Sequence, residues 1–465
     1  MKKRNKLTCG FCSVIAALSL GTISCTNEQE LIFIDEDVLK VDFTQEEHSF
    51  MNKHFGKRSL DVSDAMNLAA EYGFGASKAS ATRSSNQQTR VLTKANVDVI
   101  PDSIAESLPD TIAYVLYTDN EKCAVISADN RVSSPLLGYV NVRDLYPYEY
   151  DNYDFSVRDI VLKGFVDYTY SEIVKYEQQK DSMEQVINEK LNVGVQTRSP
   201  NNYVDVIRYV DETGWDTLQV GPLLEVAWKQ GSPYNLTAKE FGTCEDGFYV
   251  TTGCGPIAIA MIMSYWKYPS RYLGFGIYWD INWDAITANP TMQMGDAYLT
   301  NLTTLIAVIG RDSGTTYNCE SHGQAPDYYD WIINHGYTGD GSFDYSFSRV
   351  KNSLDDGCPV YISGHSTENG HGWVTDGYRI LQRSRRKIIM RINTTDGSIT
   401  NIDGGVEYQT QKYLNHNWGR GNRESWLVDG CFDESHDYTN QSPEWHAGEN
   451  YNIGTTVYTG IRPQY

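Results

Sequence analysis

Basic residues are scarce in this 465-residue chain, which has 39 Lys and Arg against 60 Asp and Glu and a formal net charge of −21. Such a surplus of negative charge repels phosphate backbones and anionic membranes, so we expect no nucleic-acid partner. Internal repeats with a period of about 20–50 residues are also missing, which argues against a solenoid or a propeller. The hydrophobic content of 40% and the 33 tyrosines instead predict globular domains.

An apolar run long enough to span a membrane, about 20 residues, is absent too. The chain begins differently, with a basic stretch over residues 2–6 and a short apolar run over residues 11–20, a pattern typical of an export signal. Residues 20–25 resemble a bacterial lipoprotein box, although Thr22 stands where that box usually has Leu. We therefore expect an exported protein. It is either anchored through lipid on Cys25, at the bacterial cell surface or in the periplasm, or released after processing of an ordinary signal peptide.

Closely spaced cysteine pairs are missing beyond the export segment. The cysteines there form no C-x-x-C motif, so neither a zinc site nor a dense disulfide scaffold is indicated, and no cofactor is expected. Residues 199–465 hold five cysteines, namely Cys244, Cys254, Cys319, Cys358 and Cys431. Because five is odd, at least one thiol stays unpaired within that region unless it bonds outside it.

The spacing of apolar residues predicts several elements in the first half of the chain. A helix is predicted over Ser63–Tyr72 and a β-hairpin over Ala113–Ser127, with its turn at Thr118–Asn120. Val157–Leu191 has apolar residues every three or four places, which predicts one or two helices. The polar stretch Ser77–Thr93 predicts a loop.

A domain boundary is predicted near Arg198. The surrounding segment, residues 194–202, has no apolar periodicity, contains a proline and offers a basic bond for cleavage. We therefore divide the chain into an export segment over residues 1–25, an α+β domain over residues 26–198 and a second domain over residues 199–465.

The clearest sign of chemistry lies in Thr251–Pro269. Pro256 suits the first turn of a helix, the small and apolar residues that follow predict a buried helix, and Pro269 ends it. Cys254 is thereby placed at a helix N-terminus, where unpaired N–H groups and the helix dipole stabilise a thiolate nucleophile. A buried structural cysteine at a strand-to-helix turn fits this local pattern equally well.

Three further motifs occur in an order that favours the nucleophile. Trp228–Asn235 (WKQGSPYN) lies upstream of Cys254, whereas Gly370–Tyr378 (GHGWVTDGY) and His416–Gly419 (HNWG) lie downstream. With the Cys254 motif they resemble the streptopain family of papain-fold cysteine peptidases, which are secreted bacterial enzymes made as zymogens.

The likeness extends to the region before the catalytic motifs. Cys123–Arg131 and Ser134–Tyr139 are similar to the hairpin segment of the streptopain propeptide. The resemblance implies an α+β fold in which a helical half and a twisted antiparallel sheet half enclose a substrate cleft. It also implies that the preceding α+β domain is an inhibitory propeptide.

The resemblance assigns roles to five residues. Cys254 would attack the peptide carbonyl and form a thioester, and His371 would be the acid and base. Gln230 would donate a side-chain N–H to the oxyanion. Asn417 would orient the imidazole, and Trp418 would shield that hydrogen bond from water.

One position departs from the family pattern, and two other histidines compete with His371. The family has a second Trp after the Asn-Trp-Gly block, whereas this chain has Arg420. His365 lies in a polar loop and His416 lies in the orienting block itself, so His371, which starts an apolar strand between glycines, is the better base.

A cluster of aspartates invites a calcium site but does not support one. Asp327, Asp330, Asp340 and Asp344 are not followed by a twelve-residue loop with a final Glu, so solvated loops are the better interpretation and no metal is expected.

Three functions stay open at this level. The first is a secreted cysteine endopeptidase that acts on proteins or peptides, is held latent by its own propeptide and is released by an activating protease. The second is a non-catalytic surface lipoprotein with a binding or structural role. The third is a thiol acyltransferase of the transglutaminase type, whose site usually has an Asp as third member; Asn417 in an Asn-Trp pair favours proteolysis.

Overall fold

The computed structural model describes residues 39–74, 89–96, 102–118, 121–145, 155–192, 203–244, 250–318, 321–365, 370–421, 424–432 and 453–464. Leu39–Tyr465 groups as one compact unit. The predicted export segment and the predicted boundary at residues 194–202 lie outside the described residues, so both stay predictions.

The N-terminal part of the described chain combines helices with a small set of strands. Its helices are α1 (Gln45–His54), α2 (Val62–Glu71), α3 (Asp102–Ala105), α4 (Val142–Leu145) and α5 (Phe155–Asn192), and its strands are β1 (Leu39–Lys40), β2 (Thr89–Thr93), β3 (Thr111–Tyr117), β4 (Lys122–Ser127) and β5 (Leu136–Asn141). A short 3-10 helix spans Lys94–Asn96. We call this region, residues 39–192, the N-terminal part.

Three predicted elements of the N-terminal part are confirmed and one is corrected. Helix α2 and the antiparallel hairpin of β3 and β4 match the prediction, and α5 is a single helix of 38 residues. The predicted loop over Ser77–Thr93 is wrong at its end, because Thr89–Thr93 pairs with β3 as strand β2. Leu92, which is buried, supplies the apolar anchor that the polar composition of this stretch obscured.

The rest of the chain contains a helical half and a sheet half. The helices are α6 (Cys254–Trp266), α7 (Trp283–Ile286), α8 (Leu299–Asp312), α9 (Ala325–Asn334) and α10 (Phe347–Asp355), with a 3-10 helix at Ala238–Glu240. The strands are β6 (Tyr203–Asp211), β7 (Asp216–Val220), β8 (Arg271–Gly274), β9 (Ile277–Asp280), β10 (Tyr337–Thr338), β11 (Gly341–Asp344), β12 (Val360–His365), β13 (Gly370–Asn393), β14 (Ile399–Asn417), β15 (Trp426–Val428), β16 (Ile453–Thr459) and β17 (Arg462–Pro463). This composition confirms the predicted α+β class.

A single large sheet runs through both parts of the chain. Its strand order is β11-β16-β12-β13-β14-β15-β5-β4-β3-β2, with β1 added to β14 and with β6 and β7 added to β13. The junction between the two parts is the antiparallel pair β15–β5, in which Trp426 faces Tyr139 and Leu427 faces Gly138. The N-terminal part thus continues the sheet that carries His371 and Asn417.

Helix α6 forms the centre of the helical half. Its residues Gly255–Ser264 are all buried, so the helix is apolar on every side and packs against α8 and α9. Gly255 is required by this packing, because a Cβ there would lie 2.2 Å from the ring of Tyr328. The result is a rigid support for the residue that begins the helix.

The described cysteines comprise one disulfide-bonded residue and four reduced thiols. Cys244 is disulfide-bonded, whereas Cys123, Cys254, Cys358 and Cys431 form no disulfide. Within the described ranges, no helix has both the length and the apolar character needed to cross a membrane.

Candidate active site

Cys254 is the first residue of helix α6. The preceding Gly253 has φ +82°, a left-handed conformation that favours glycine, and it turns the chain sharply into the helix. The N-terminal N–H groups of a helix carry a partial positive charge, which stabilises an anion at this position. The local sequence therefore folds as predicted, with the thiol at the helix start.

The surroundings of Cys254 raise the pKa of its thiol. Burial is the main cause, and it is opposed by the N–H of Gly372, which donates to Sγ at 3.3 Å, and by the positive charge of Arg420. The hydrogen bond from Gly372 also ties Cys254 to the start of strand β13, where Gly372 directly follows His371. The structure thus brings the predicted nucleophile and the predicted base to one place.

His371 is neutral and its tautomer is fixed. Nε2 of the ring lies 3.1 Å from the carbonyl oxygen of Trp418, and since a carbonyl only accepts, Nε2 carries the proton. Burial, together with the positive charge of Arg420, lowers the pKa of His371 to about 3. Nδ1 is therefore the basic nitrogen of the ring, as removal of a proton from a thiol requires.

Asn417 lies on β14 opposite Val374, which follows His371 by three residues on β13. Its side-chain amide donates to the carbonyl of Val226 at 2.9 Å, and its Oδ1 accepts from the N–H of Gly419 at 3.3 Å. The carbonyl of Trp418, rather than the Asn417 side chain, contacts His371 Nε2 in this conformation. The orienting role of Asn417 therefore stays a prediction.

Trp418 is fully buried in a group of aromatic rings behind His371. Its ring centroid lies 6.4 Å from that of His371 and belongs to a set that we call the aromatic cluster: Trp373, His416, Trp418 and Phe432. These rings pack on one side of the imidazole, whereas the predicted shielding of an Asn417–His371 hydrogen bond by Trp418 stays a prediction.

The aromatic cluster is also where the N-terminal part approaches the site. Helix α5 packs its Gly164 against the cluster's edge, so closely that a Cβ on this glycine would lie 3.2 Å from Cβ of Cys431 and 3.6 Å from the ring of Phe432. Contacts from the N-terminal part therefore reach the rings that surround His371.

Gln230 is buried and its amide nitrogen is available. Among the described residues, Nε2 of Gln230 has no hydrogen-bond partner. Its backbone carbonyl accepts from the N–H of Thr252 at 3.0 Å, which ties Gln230 to the turn that leads into Cys254. A buried donor without an acceptor costs free energy in the resting protein and is typical of a site built for a ligand oxygen.

The two competing histidines occupy other positions. Nδ1 of His416 lies 2.8 Å from the hydroxyl of Thr375 and 3.1 Å from the indole nitrogen of Trp373, and burial lowers the pKa of His416 to about 3. His365 ends strand β12 on the surface, where it pairs with Gly370. His371, by contrast, directly precedes Gly372, whose N–H donates to the Cys254 thiol.

Asp376 is a site-forming residue to which the sequence analysis gave no role. Its carboxylate accepts from the N–H of Leu224 at 2.9 Å and from the side chain of Asn415 at 2.7 Å. Burial raises the pKa of Asp376 to about 7, while these two hydrogen bonds oppose the rise. In the sequence, Asp376 could have been noticed as part of the Asp-Gly pair in the His371 motif. The Asp376 side chain holds the segment that precedes Gln230 against the sheet.

Metal ligands are not grouped in the described part of the chain: no three His, Cys, Asp or Glu side chains there come close enough to hold an ion. Asp327 and Asp330 lie on α9, and Asp340 lies 3.9 Å from Arg462.

Comparison with known proteins gives a family. Residues 228–426 match the model of the Peptidase C10 family. A fragment of prointerpain A from Prevotella intermedia is 18% identical, with 81% of this chain and 99% of that chain covered and a TM-score of 0.43. Active interpain A cysteine protease from the same organism is 18% identical, with 52% and 94% covered and a TM-score of 0.34. No curated protein shows significant similarity to the chain.

The family match includes each residue predicted for the site. It begins at Trp228, two residues before Gln230, contains Cys254 and His371, and ends at Trp426, beyond the Asn417 block. The resemblance found in the sequence is thereby confirmed: residues 228–426 match the Peptidase C10 family, the streptopain family of cysteine peptidases.

Proposed function

We propose that the protein is an exported cysteine endopeptidase made as a zymogen, and that Cys254 and His371 form its catalytic pair. The observation that carries the proposal is the junction of α6 and β13. There the thiol at a helix start accepts a hydrogen bond from Gly372, and the neighbouring His371 is held in the tautomer of a base.

The reaction follows from the chemistry of these groups. Sγ of Cys254 bonds to the carbonyl carbon of the substrate as the thiol proton passes to Nδ1 of His371. The C–N bond then breaks as that proton passes to the leaving amine, and water hydrolyses the thioester to restore the thiol. The N–H groups of Gln230 and of the Cys254 backbone stabilise the oxyanion in both steps.

The conformation described above is the latent one. A thiolate–imidazolium pair needs a low thiol pKa and a high imidazole pKa, whereas burial shifts the pKa of Cys254 upward and that of His371 downward. The N-terminal part contributes to this state through the β5–β15 pair and through α5 against the aromatic cluster. We assign residues 26–198 to the inhibitory propeptide and residues 199–465 to the peptidase, with activation by a protease that cuts near Arg198.

Export is supported by the disulfide bond of Cys244. Disulfides persist in oxidising compartments and are rare in a reducing cytosol. Together with the basic and apolar start of the chain, this favours a cell-surface or periplasmic location, with lipid on Cys25, or release into the medium.

Labelling with an electrophilic peptide epoxide tests the peptidase assignment. We expect covalent labelling at Cys254 after the full-length chain has been processed by a trypsin-like protease, and the appearance of new amino termini in a protein substrate. A Cys358→Ala variant, which removes another free thiol, should label equally. Failure of Cys254 to react would favour the non-catalytic lipoprotein, whereas transfer of acyl groups to added amines without hydrolysis would favour the acyltransferase.

Latency is tested separately by comparing the full-length chain with the processed chain. We expect little hydrolysis before the cut and much more after it. Equal rates, with no processing visible on a gel, would exclude the zymogen and leave the peptidase assignment intact.

A further inference from the structure

Arg420 lies at the edge of the site, in a segment that crosses the Gln230 motif. After Asn417 and Trp418, Gly419 adopts φ +67° and turns the chain back over the upstream block. The N–H of Gly421 donates to the carbonyl of Trp228 at 3.1 Å, and Arg420 forms an isolated antiparallel bridge with Lys229. The bridge places Arg420 opposite Lys229, which directly precedes the proposed oxyanion donor Gln230. Along the chain, Arg420 follows Trp418 by two positions.

The leaving amine must face His371 to receive its proton from Nδ1. Arg420 lies between the Gln230 motif, through its bridge with Lys229, and Trp418, whose carbonyl holds the His371 ring, so we place Arg420 beside the amine half of the substrate. The positive charge of Arg420 also lowers the pKa of both the Cys254 thiol and the His371 imidazole, which agrees with this position.

The side chain is unusual for this place. Arg420 stands where the streptopain pattern has a second tryptophan, and it is half-buried. An aromatic ring there offers an apolar surface, whereas a guanidinium offers a fixed positive charge and paired N–H donors that match a carboxylate. The substitution therefore changes the chemistry that a substrate side chain meets at this point.

We propose that Arg420 is a specificity-determining residue that favours Asp or Glu as the residue immediately after the scissile bond. This inference rests on the proposed peptidase function and adds its substrate class. The attraction operates in a partly desolvated cleft, where a charge pair is stronger than on an open surface.

The test uses two quenched fluorescent peptides that differ only in Glu or Gln after the scissile bond. With the processed full-length protein we expect kcat/KM to be about tenfold higher for the Glu peptide, and the ratio to fall as salt is raised. Arg420→Gln should bring the ratio close to one, and Arg420→Lys should keep part of it. Arg271→Gln, which removes an exposed arginine from the β8–β9 hairpin, should leave the ratio unchanged.

The outcomes separate this inference from the peptidase assignment. If the unmodified protein cleaves neither peptide, nor any protein substrate, the proposed function fails. If it cleaves both equally, or if Arg420→Gln keeps the preference for Glu, the specificity role of Arg420 is wrong and the peptidase assignment stands. A folded Arg420→Gln or Arg420→Lys variant that loses both activities equally would show that Arg420 acts on the thiol or imidazole instead, which also overturns the inference.

Discussion

The two sides of the active site are supported by different regions of the chain. Cys254 begins a helix whose hydrophobic core contains no residue before Leu224, so the N-terminal part takes no share in it among the described residues. The rings behind His371 belong to another core, which extends from Ala65 on α2 through the β3–β5 strands to Phe432. One side is self-contained, whereas the other is shared with the proposed propeptide.

This difference indicates how the proposed latency would work. Removing the N-terminal part would leave the support of Cys254 in place but would expose the β15 edge and loosen the packing around the aromatic cluster. Solvation of the imidazole would then raise the pKa of His371 toward its ordinary range, which allows the ion pair with Cys254. We infer that the propeptide controls the enzyme chiefly through the histidine side.

The largest expected effect is loss of activity when either member of the catalytic pair is removed. Cys254→Ala and His371→Ala should each lower kcat of the processed protein by about 10⁴-fold or more, because nucleophile and base act as a unit. Melting temperature should change little for Cys254→Ala, since α6 is supported by its own core. A His365→Ala variant serves as control and should stay active; if it were inactive and His371→Ala active, our base would be wrong.

A smaller loss is expected at the oxyanion donor. Gln230→Ala should lower kcat by about 10²–10³-fold and leave a measurable remnant, since the backbone N–H of Cys254 still donates. Steady-state kinetics with a single peptide would check this. A remnant as low as that of Cys254→Ala would mean that Gln230 supports the fold of the site rather than the transition state.

A gain of activity is expected when the junction between the two parts is weakened. A Cβ on Gly138 would lie 2.8 Å from the carbonyl oxygen of Trp426 and 3.0 Å from the ring of Phe165, so Gly138→Ala forces β5 and β15 apart. Overpacking of this kind costs about 1–3 kcal/mol.

The uncut Gly138→Ala protein should therefore hydrolyse peptides about threefold to tenfold faster than the uncut parent. Gly214→Ala is the matched control, because a Cβ at Gly214 meets no atom within 4 Å. An uncut Gly138→Ala protein that is stable and fully latent would show that the β5–β15 pair takes no part in inhibition.

The predictable features of this molecule are local in sequence. The α6 helix is encoded by Pro256, an apolar run and Pro269 within twenty residues, and the β3–β4 hairpin by two apolar runs around a turn. Candidate site residues could be named because the family resemblance assigns a role to each motif. These inferences needed no knowledge of how distant strands pair.

Features that depend on distant pairing were not predictable. The sequence does not reveal that Gly138 would join Leu427 across nearly three hundred residues, nor that strand β2 would form from a polar stretch. The contact of His371 with the Trp418 carbonyl, in place of the Asn417 side chain, likewise depends on how strands β13 and β14 are held in the tertiary structure. Such details are decided by tertiary packing rather than by local propensity.

The pH dependence of Cys254 alkylation, measured before and after processing of the full-length chain, tests the central claim most directly. Iodoacetamide reacts with the thiolate, and modification at Cys254 can be followed by peptide mass mapping. In the uncut protein burial raises the pKa of Cys254, so alkylation should become fast only in the alkaline range; after the cut it should be fast at neutral pH, where His371 is charged. The same pH profile in both forms would contradict control of the catalytic pair by the N-terminal part.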